Sequence, residues 1–107
     1  MTWKDLPRPL VCLAPMDGIT NTAYRRIVRS LSKRTLLFSE FTSVDGLLRS
    51  ERLRERMDYH PCEHPFFMQL FGNDPRAFAE VSKMVEDRGI LGGDINMGCP
   101  SKKIVNS

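Results

Sequence analysis

The chain reads as an α/β domain built on a parallel sheet, and three observations carry that reading. Short apolar runs recur at Leu10–Ala14, Leu36–Ser39 and Phe66–Leu70, with Gly93–Asn96 as a candidate fourth strand. They are continuous rather than alternating, as strands covered on both faces tend to be. Between them lie segments with helical apolar spacing, so strand and helix alternate from the first run to the last, the order of a parallel sheet covered by helices.

Taken in order, Leu10–Ala14 is too short for a helix and is stopped by Pro15, so it is expected as a buried strand with Cys12 in the core. Thr20 or Asn21 can cap the next element. Tyr24, Ile27, Val28 and Leu31 then form an apolar stripe, with Arg25, Arg26, Arg29 and Lys33 on the other faces. Leu36–Ser39 is the second strand, followed by short helical pieces over Val44–Arg49 and Arg52–Met57. The prolines of His60-Pro61-Cys62-Glu63-His64-Pro65 disfavour helix in the residues before them and mark a connector. Phe66–Leu70 is the third strand. Asn73 or Asp74 caps a helix that has Pro75 in its first position, where a missing N–H is harmless. Phe78, Val81, Met84 and Val85 form its stripe, and Gly89 suits the left-handed residue just past its end. Gly93–Asn96 is the fourth strand. Two architectures fit this order, an open doubly wound sheet and a (β/α)8 barrel. The first turn lacks GxGxxG, which argues against the dinucleotide-binding form of the open sheet.

Composition narrows the class. A length of 107 residues suits one domain, and 41% hydrophobic with 27% charged residues is ordinary for a globular protein. No apolar run approaches the ~20 residues that span a bilayer. The first ten residues lack the apolar core of a signal peptide, so a cytoplasmic protein without membrane contact is expected. Three cysteines without repeated spacing do not suggest a disulfide framework. His60, Cys62 and His64 lack a fourth ligand at zinc-like spacing, so no metal is expected. The net charge of +3 is modest, but Arg25, Arg26, Arg29, Lys33, Arg34, Arg49, Arg52, Arg54 and Arg56 fall in one stretch. That stretch suits either a solvated surface or the neutralisation of RNA phosphates.

In parallel α/β folds functional groups gather at the C-terminal ends of strands. Those ends read Pro15-Met16-Asp17-Gly18, Glu40-Phe41-Thr42, Gln69-Leu70-Phe71-Gly72 and Asn96-Met97-Gly98-Cys99-Pro100. Polar groups beside soft apolar ones suit a flat heteroaromatic ligand gripped on its faces and read at its edge. Gln69 is an amide inside an apolar run, which needs partners of its own, from backbone or from a ligand. Asp94 and Asn96 share one face of their strand. Cys99, on a loop between glycine and proline, is better placed for chemistry than for core filling.

These strand ends also carry a resemblance. Leu13-Ala14-Pro15-Met16-Asp17-Gly18-Ile19-Thr20-Asn21 resembles the opening strand and turn of the dihydrouridine synthases. So do Phe38-Ser39-Glu40-Phe41, Gln69-Leu70-Phe71-Gly72-Asn73-Asp74-Pro75, and the run from Asp94 through Gly98-Cys99-Pro100-Ser101-Lys102-Lys103 to Val105. The resemblance implies a TIM barrel that binds flavin mononucleotide (FMN) and reduces selected uridines in tRNA, with NADPH or NADH recharging the flavin. Residues 1–107 would form the first half of that barrel, four of its eight strands. The remaining strands, a glycine-rich phosphate site and a helical tRNA-docking domain are expected beyond residue 107. A four-stranded piece would expose strand edges prone to self-association and would bind flavin poorly. Carried over by position, Pro15 and Met16 would pack against or hydrogen-bond the isoalloxazine, and Gln69 would read its polar edge. Asn96 would hold the uracil, Cys99 would act as the acid, and Arg25 and Arg29 would grip tRNA phosphates. A thiol suits the acid role because its reference pKa of about 8.5 keeps it protonated at neutral pH. The alternatives are another flavin barrel, such as a dihydroorotate dehydrogenase-like or old-yellow-enzyme-like oxidoreductase, and an inactive half-barrel serving as an RNA-binding or interaction module.

Overall fold

The computed structural model of the chain describes residues 1–99. Helix α1 (Thr22–Leu31) begins where the Asn21 side chain accepts from the Tyr24 N–H at 3.0 Å. Strands β1 (Leu37–Phe38) and β2 (Thr42–Ser43) lead into helices α2 (Val44–Arg49) and α3 (Glu51–Arg54). After two short 3₁₀ turns come β3 (Phe66–Phe71), α4 (Pro75–Asp87) and β4 (Gly92–Ile95). Asp74 caps α4 and Pro75 opens it, as the sequence predicts, and Gly89 has φ of 75° just beyond its end. None of these helices is long and apolar enough to cross a membrane.

All strand pairings are parallel, with β3 in the middle. Phe67 pairs with both Phe38 and Gly92, and Leu70 with both Thr42 and Ile95. Since a strand residue has one neighbour on each side, β1 and β2 lie in succession along one edge of β3, with β4 along the other. From Phe38 to Thr42 the outer chain contains one residue more than β3 does from Phe67 to Leu70, so Ser39–Phe41 bulges. Beyond β1, Cys12 bridges to Leu36 in parallel. The spatial order therefore follows the chain order: the Cys12 segment, β1 with β2, β3, then β4.

The sheet has two unlike faces. Phe66, Met68 and Leu70 of β3 point to the helices, meeting Val44 and Leu47 of α2 and Val81 and Val85 of α4. Each such side chain, fully buried, contributes about 1.5–3 kcal/mol. On the other face Phe67 packs with Leu36 and Leu6, and its ring stacks on Phe38 at 5.2 Å between centroids. Gly92 makes room for that ring, because a Cβ there would lie 3.1 Å from Phe67 Cε1.

Two expectations are corrected. The Leu10–Ala14 run supplies only an isolated bridge, and Cys12 is exposed rather than in the core. Among the described residues that segment is the outermost strand position, with a pairing neighbour on one side alone. Helix α1 also departs from the orientation its apolar stripe predicts. Of that stripe only Val28 packs against the core, half-buried, whereas Tyr24, Ile27 and Leu31 are 39%, 63% and 83% exposed and Arg25 is 2% exposed. The reason is a counter-charge from a distant segment. Glu63, fully buried, receives Arg25 Nε at 2.5 Å, Thr22 Oγ1 at 2.8 Å and the His60 N–H at 2.6 Å. Arg25 also donates to the carbonyls of Thr20 and Asp58 and lies 4.5 Å over the Phe66 ring.

Candidate active site

The polar groups of the open face collect at the C-terminal ends of β3 and β4. Gln69 and Asp94 are register partners, so their side chains leave the sheet on the same side. Gln69 Nε2 donates to Asp94 Oδ2 at 2.6 Å. Asn96 Nδ2 donates to Gln69 Oε1 at 3.4 Å, and the Gly98 N–H donates to Asn96 Oδ1 at 3.1 Å. Asn96 is held in place by its own N–H, which donates to the Leu70 carbonyl. One directional relay thus runs from the backbone just before Cys99 to a carboxylate on β4. Cys99 follows it directly and is half-exposed.

Behind Gln69, its backbone N–H donates to Ser39 Oγ at 2.9 Å. Ser39 is buried, and its N–H donates to the Phe67 carbonyl while its hydroxyl donates to Glu40 O. The bulge between β1 and β2 therefore braces the strand that carries Gln69. It also aims Glu40 at the neighbouring loop, where its carboxylate accepts the Gly18 N–H at 2.6 Å. Gly18 has φ of 75°, a conformation that favours glycine. Arg56 donates to Phe41 O and Asp17 and stands 4.0 Å from Glu40, tying the first two strand ends together.

Pro15 and Met16 are half-buried at the end of the outermost strand position. Adjacent strands lie about 4.8 Å apart, so two strand spacings, roughly 10 Å, separate that position from β3. The Met16 N–H donates to Thr20 Oγ1 and its carbonyl accepts from Thr20. With its N–H engaged, Met16 offers packing surface rather than a donor.

The two arginines expected on tRNA phosphates are not brought to this site. Arg25 is the buried partner of Glu63 on the helix-covered face. Arg29 clamps α1 to the connector, donating to the carbonyls of Cys62, Ser32 and Glu63. Burial pushes its guanidinium below the ordinary value, opposed by charge interactions with Cys62 and Glu63. A guanidinium fork can satisfy several backbone carbonyls at once, and these side chains are used in that way. Arg54 does the same for the last carbonyls of α2, those of Leu47 and Leu48. Of the cationic stretch, Arg26, Lys33, Arg34, Arg49 and Arg52 remain exposed. His60 and His64 serve the fold, through the Cys62 N–H and the Gly89 carbonyl. Among the described residues no three His, Cys, Asp or Glu side chains are grouped to hold a metal.

A cleft of about 430 Å³ opens between the start of α1 and Arg52–Asp58, with Glu40 and Arg56 in its wall. It is lined by acids and bases in equal number and includes none of Gln69, Asn96 or Cys99. The relay is therefore on an open surface, the strand-end face, rather than in that cleft. Sequence reading missed the roles of Glu63 and Ser39, each of which sits in an unremarkable local pattern and bonds partners on other segments. Thr20, a cap candidate by sequence, instead closes its own turn on Met16.

Comparison with known proteins bears on the same residues. The family model described as "Dihydrouridine synthase (Dus)" matches residues 12–107. A "Probable tRNA-dihydrouridine synthase" of Staphylococcus aureus is 35% identical over 101 residues, covering 92% of this chain and 31% of that protein. One from Staphylococcus epidermidis is 36% identical with the same coverage. A "Probable tRNA-dihydrouridine synthase 2" of Bacillus subtilis is 31% identical over 98% of this chain and 33% of its own length. The chain spans about a third of the length of the curated relatives it matches. With nearly the whole sequence matched, the chain belongs to the dihydrouridine synthase family.

Proposed function

We propose that these residues form the first half of the catalytic TIM barrel of an FMN-dependent tRNA-dihydrouridine synthase. The observation that carries this reading is the relay at the strand ends, which joins Gln69, Asn96 and the loop of Cys99. The sheet order supports the barrel: among the described residues the Cys12 segment, the β1–β2 edge, β3 and β4 lie side by side in chain order, with no reversal of the kind that defines a doubly wound sheet.

The donor set fits a flavin. After its bonds within the relay, Gln69 keeps one N–H and one lone pair, a donor–acceptor edge of the kind an isoalloxazine ring presents. Pro15 and Met16 supply apolar packing at the first strand end, and Gln69 reads the ring's polar edge. FMN, once reduced by NADPH or NADH, supplies hydride chemistry at this rim. Asn96, with one Nδ2 proton left, holds a uracil extruded from the stacked RNA. The Cys99 thiol gives the proton that C5 takes up as the C5–C6 bond is reduced. Arg26, Lys33, Arg34, Arg49 and Arg52 are the exposed cations of the Arg25–Arg56 stretch available to tRNA phosphates. Such an enzyme works in the cytoplasm and needs neither a metal nor a membrane.

Four strands in this order leave the sheet open. Residues 1–107 alone are therefore expected to lose flavin on desalting and, through their strand edges, to self-associate. The test of function is nucleoside analysis of unmodified tRNA incubated with the whole protein, FMN and NADPH. Dihydrouridine should appear, and Cys99→Ser should slow its formation about 10²–10⁴-fold while flavin stays bound. Reduction of a free pyrimidine but not of tRNA would replace this reading with a dihydroorotate dehydrogenase-like one. Tight tRNA binding without flavin would favour an RNA-binding module.

A further inference from the structure

We propose that Asp94 is a positioning residue that fixes the amide orientations of Gln69 and Asn96 and thereby couples the Cys99 loop to the flavin-reading edge. The inference rests on the functional reading above and deepens it. Asp94 faces the side of the sheet away from the helices, and a carboxylate taken even partly out of water carries a desolvation cost. Asp94 is nonetheless half-buried and bonded to the side chain of its register partner.

Its effect follows from the polarity of the relay's two ends. The Gly98 N–H can only donate, so the atom of Asn96 that faces it must be the oxygen. That turns Asn96 Nδ2 toward Gln69, whose facing atom must then be the oxygen. Gln69 Nε2 is left pointing at Asp94, which as a carboxylate can only accept. Both ends demand the same arrangement, so neither amide can flip without breaking a bond. The side chain of Gln69 is thereby locked with its free N–H and free lone pair in one fixed order. Any ring read at that edge meets a donor and an acceptor in that order, and a shift of the Cys99 loop at Gly98 is felt at Gln69.

Asp94→Asn removes the lock at nearly constant shape. An asparagine can offer either oxygen or nitrogen to Gln69, so the whole row can reverse, and the Gly98 N–H then loses its acceptor. In the whole protein without flavin, ¹⁵N-resolved spectra should show two widely separated proton resonances for the Gln69 amide, one slow to exchange. Gln69→Leu identifies that pair by deleting it. In Asp94→Asn the two resonances should converge. With FMN added, this variant should bind about tenfold more weakly, as expected for loss of one charge-assisted bond, with the flavin absorbance band displaced from its wild-type position. Flavin affinity and band position unchanged in Asp94→Asn would overturn the inference and leave the functional reading intact. If wild-type protein failed to bind FMN, the functional reading would fall, and the amide spectra would still test the relay. Those spectra also serve if Asp94→Asn does not fold: averaged, fast-exchanging Gln69 amide protons in the wild type would themselves refute the lock.

Discussion

The Arg25–Glu63 pair and the Gln69–Asp94–Asn96 relay stand on opposite faces of one sheet, and they differ in what they leave unpaired. The pair is closed on itself: one carboxylate oxygen of Glu63 meets Arg25, and the other takes two donors. Each nitrogen of Arg25 has an acceptor. The relay is open, since Gln69 and Asn96 each keep an N–H beyond the bonds they make within it. Polar groups closed on themselves hold segments together, whereas polar groups with valences to spare at a strand end can receive a ligand. By that criterion Arg25 belongs to the architecture, and Gln69 is placed to serve the proposed site.

The largest effect that separates the two is on stability. Glu63→Ala strands a buried guanidinium and should lower unfolding stability by about 3–5 kcal/mol, read from the urea midpoint of the whole protein. The double variant Arg25→Met/Glu63→Leu should recover most of that loss, because an apolar pair of similar volume avoids the desolvation of both charges. A loss below about 1 kcal/mol for Glu63→Ala, the range of exposed ion pairs, would break the comparison at its first term. Next in size, Gln69→Leu should raise the FMN dissociation constant about tenfold, the equivalent of one or two hydrogen bonds. Its stability should fall by about 1–3 kcal/mol, less than for Glu63→Ala, because half-buried Asp94 and Asn96 lose a partner. A stability loss as large as that of Glu63→Ala, with FMN affinity unchanged, would place Gln69 with Arg25 among the structural groups.

How much of this was legible in the sequence depends on the range over which each determinant acts. Helix α4 and strands β3 and β4 follow within a residue or so from local rules: an aspartate cap, a proline at the first position and a glycine just past the end. The facing of α1 does not, because Glu63 lies 38 residues from Arg25 and no periodicity reports it. The bulge at Ser39–Phe41 was hidden likewise, since it depends on bonds from Ser39 to β3. In the site, Gln69 stood out as an amide in an apolar run, and Asp94 and Asn96 as same-face neighbours. Their linkage did not, because the register that sets Gln69 beside Asp94 is a property of the paired strands. Cys12, an apolar residue in an apolar run, was misplaced because sequence cannot say which strand lies outermost.

The smallest expected effect tests the orientation of α1 directly. If Glu63 turns this helix, the exposed part of the stripe, Tyr24, Ile27 and Leu31, contributes little to the stability of residues 1–107, and Leu31→Lys should shift it by no more than about 0.5 kcal/mol, as at ordinary surface sites. A helix turned the other way would bury Leu31, and a lysine there would leave a desolvated charge and cost several kcal/mol. The same substitution in the whole protein sharpens the result. A cost confined to the longer chain would mean that segments beyond residue 107 cover Tyr24, Ile27 and Leu31. Equal, small costs in both would mean that the stripe faces water in each. Either way Arg25 remains inward, because its position is set by Glu63, Thr20 and Asp58, all within the residues described.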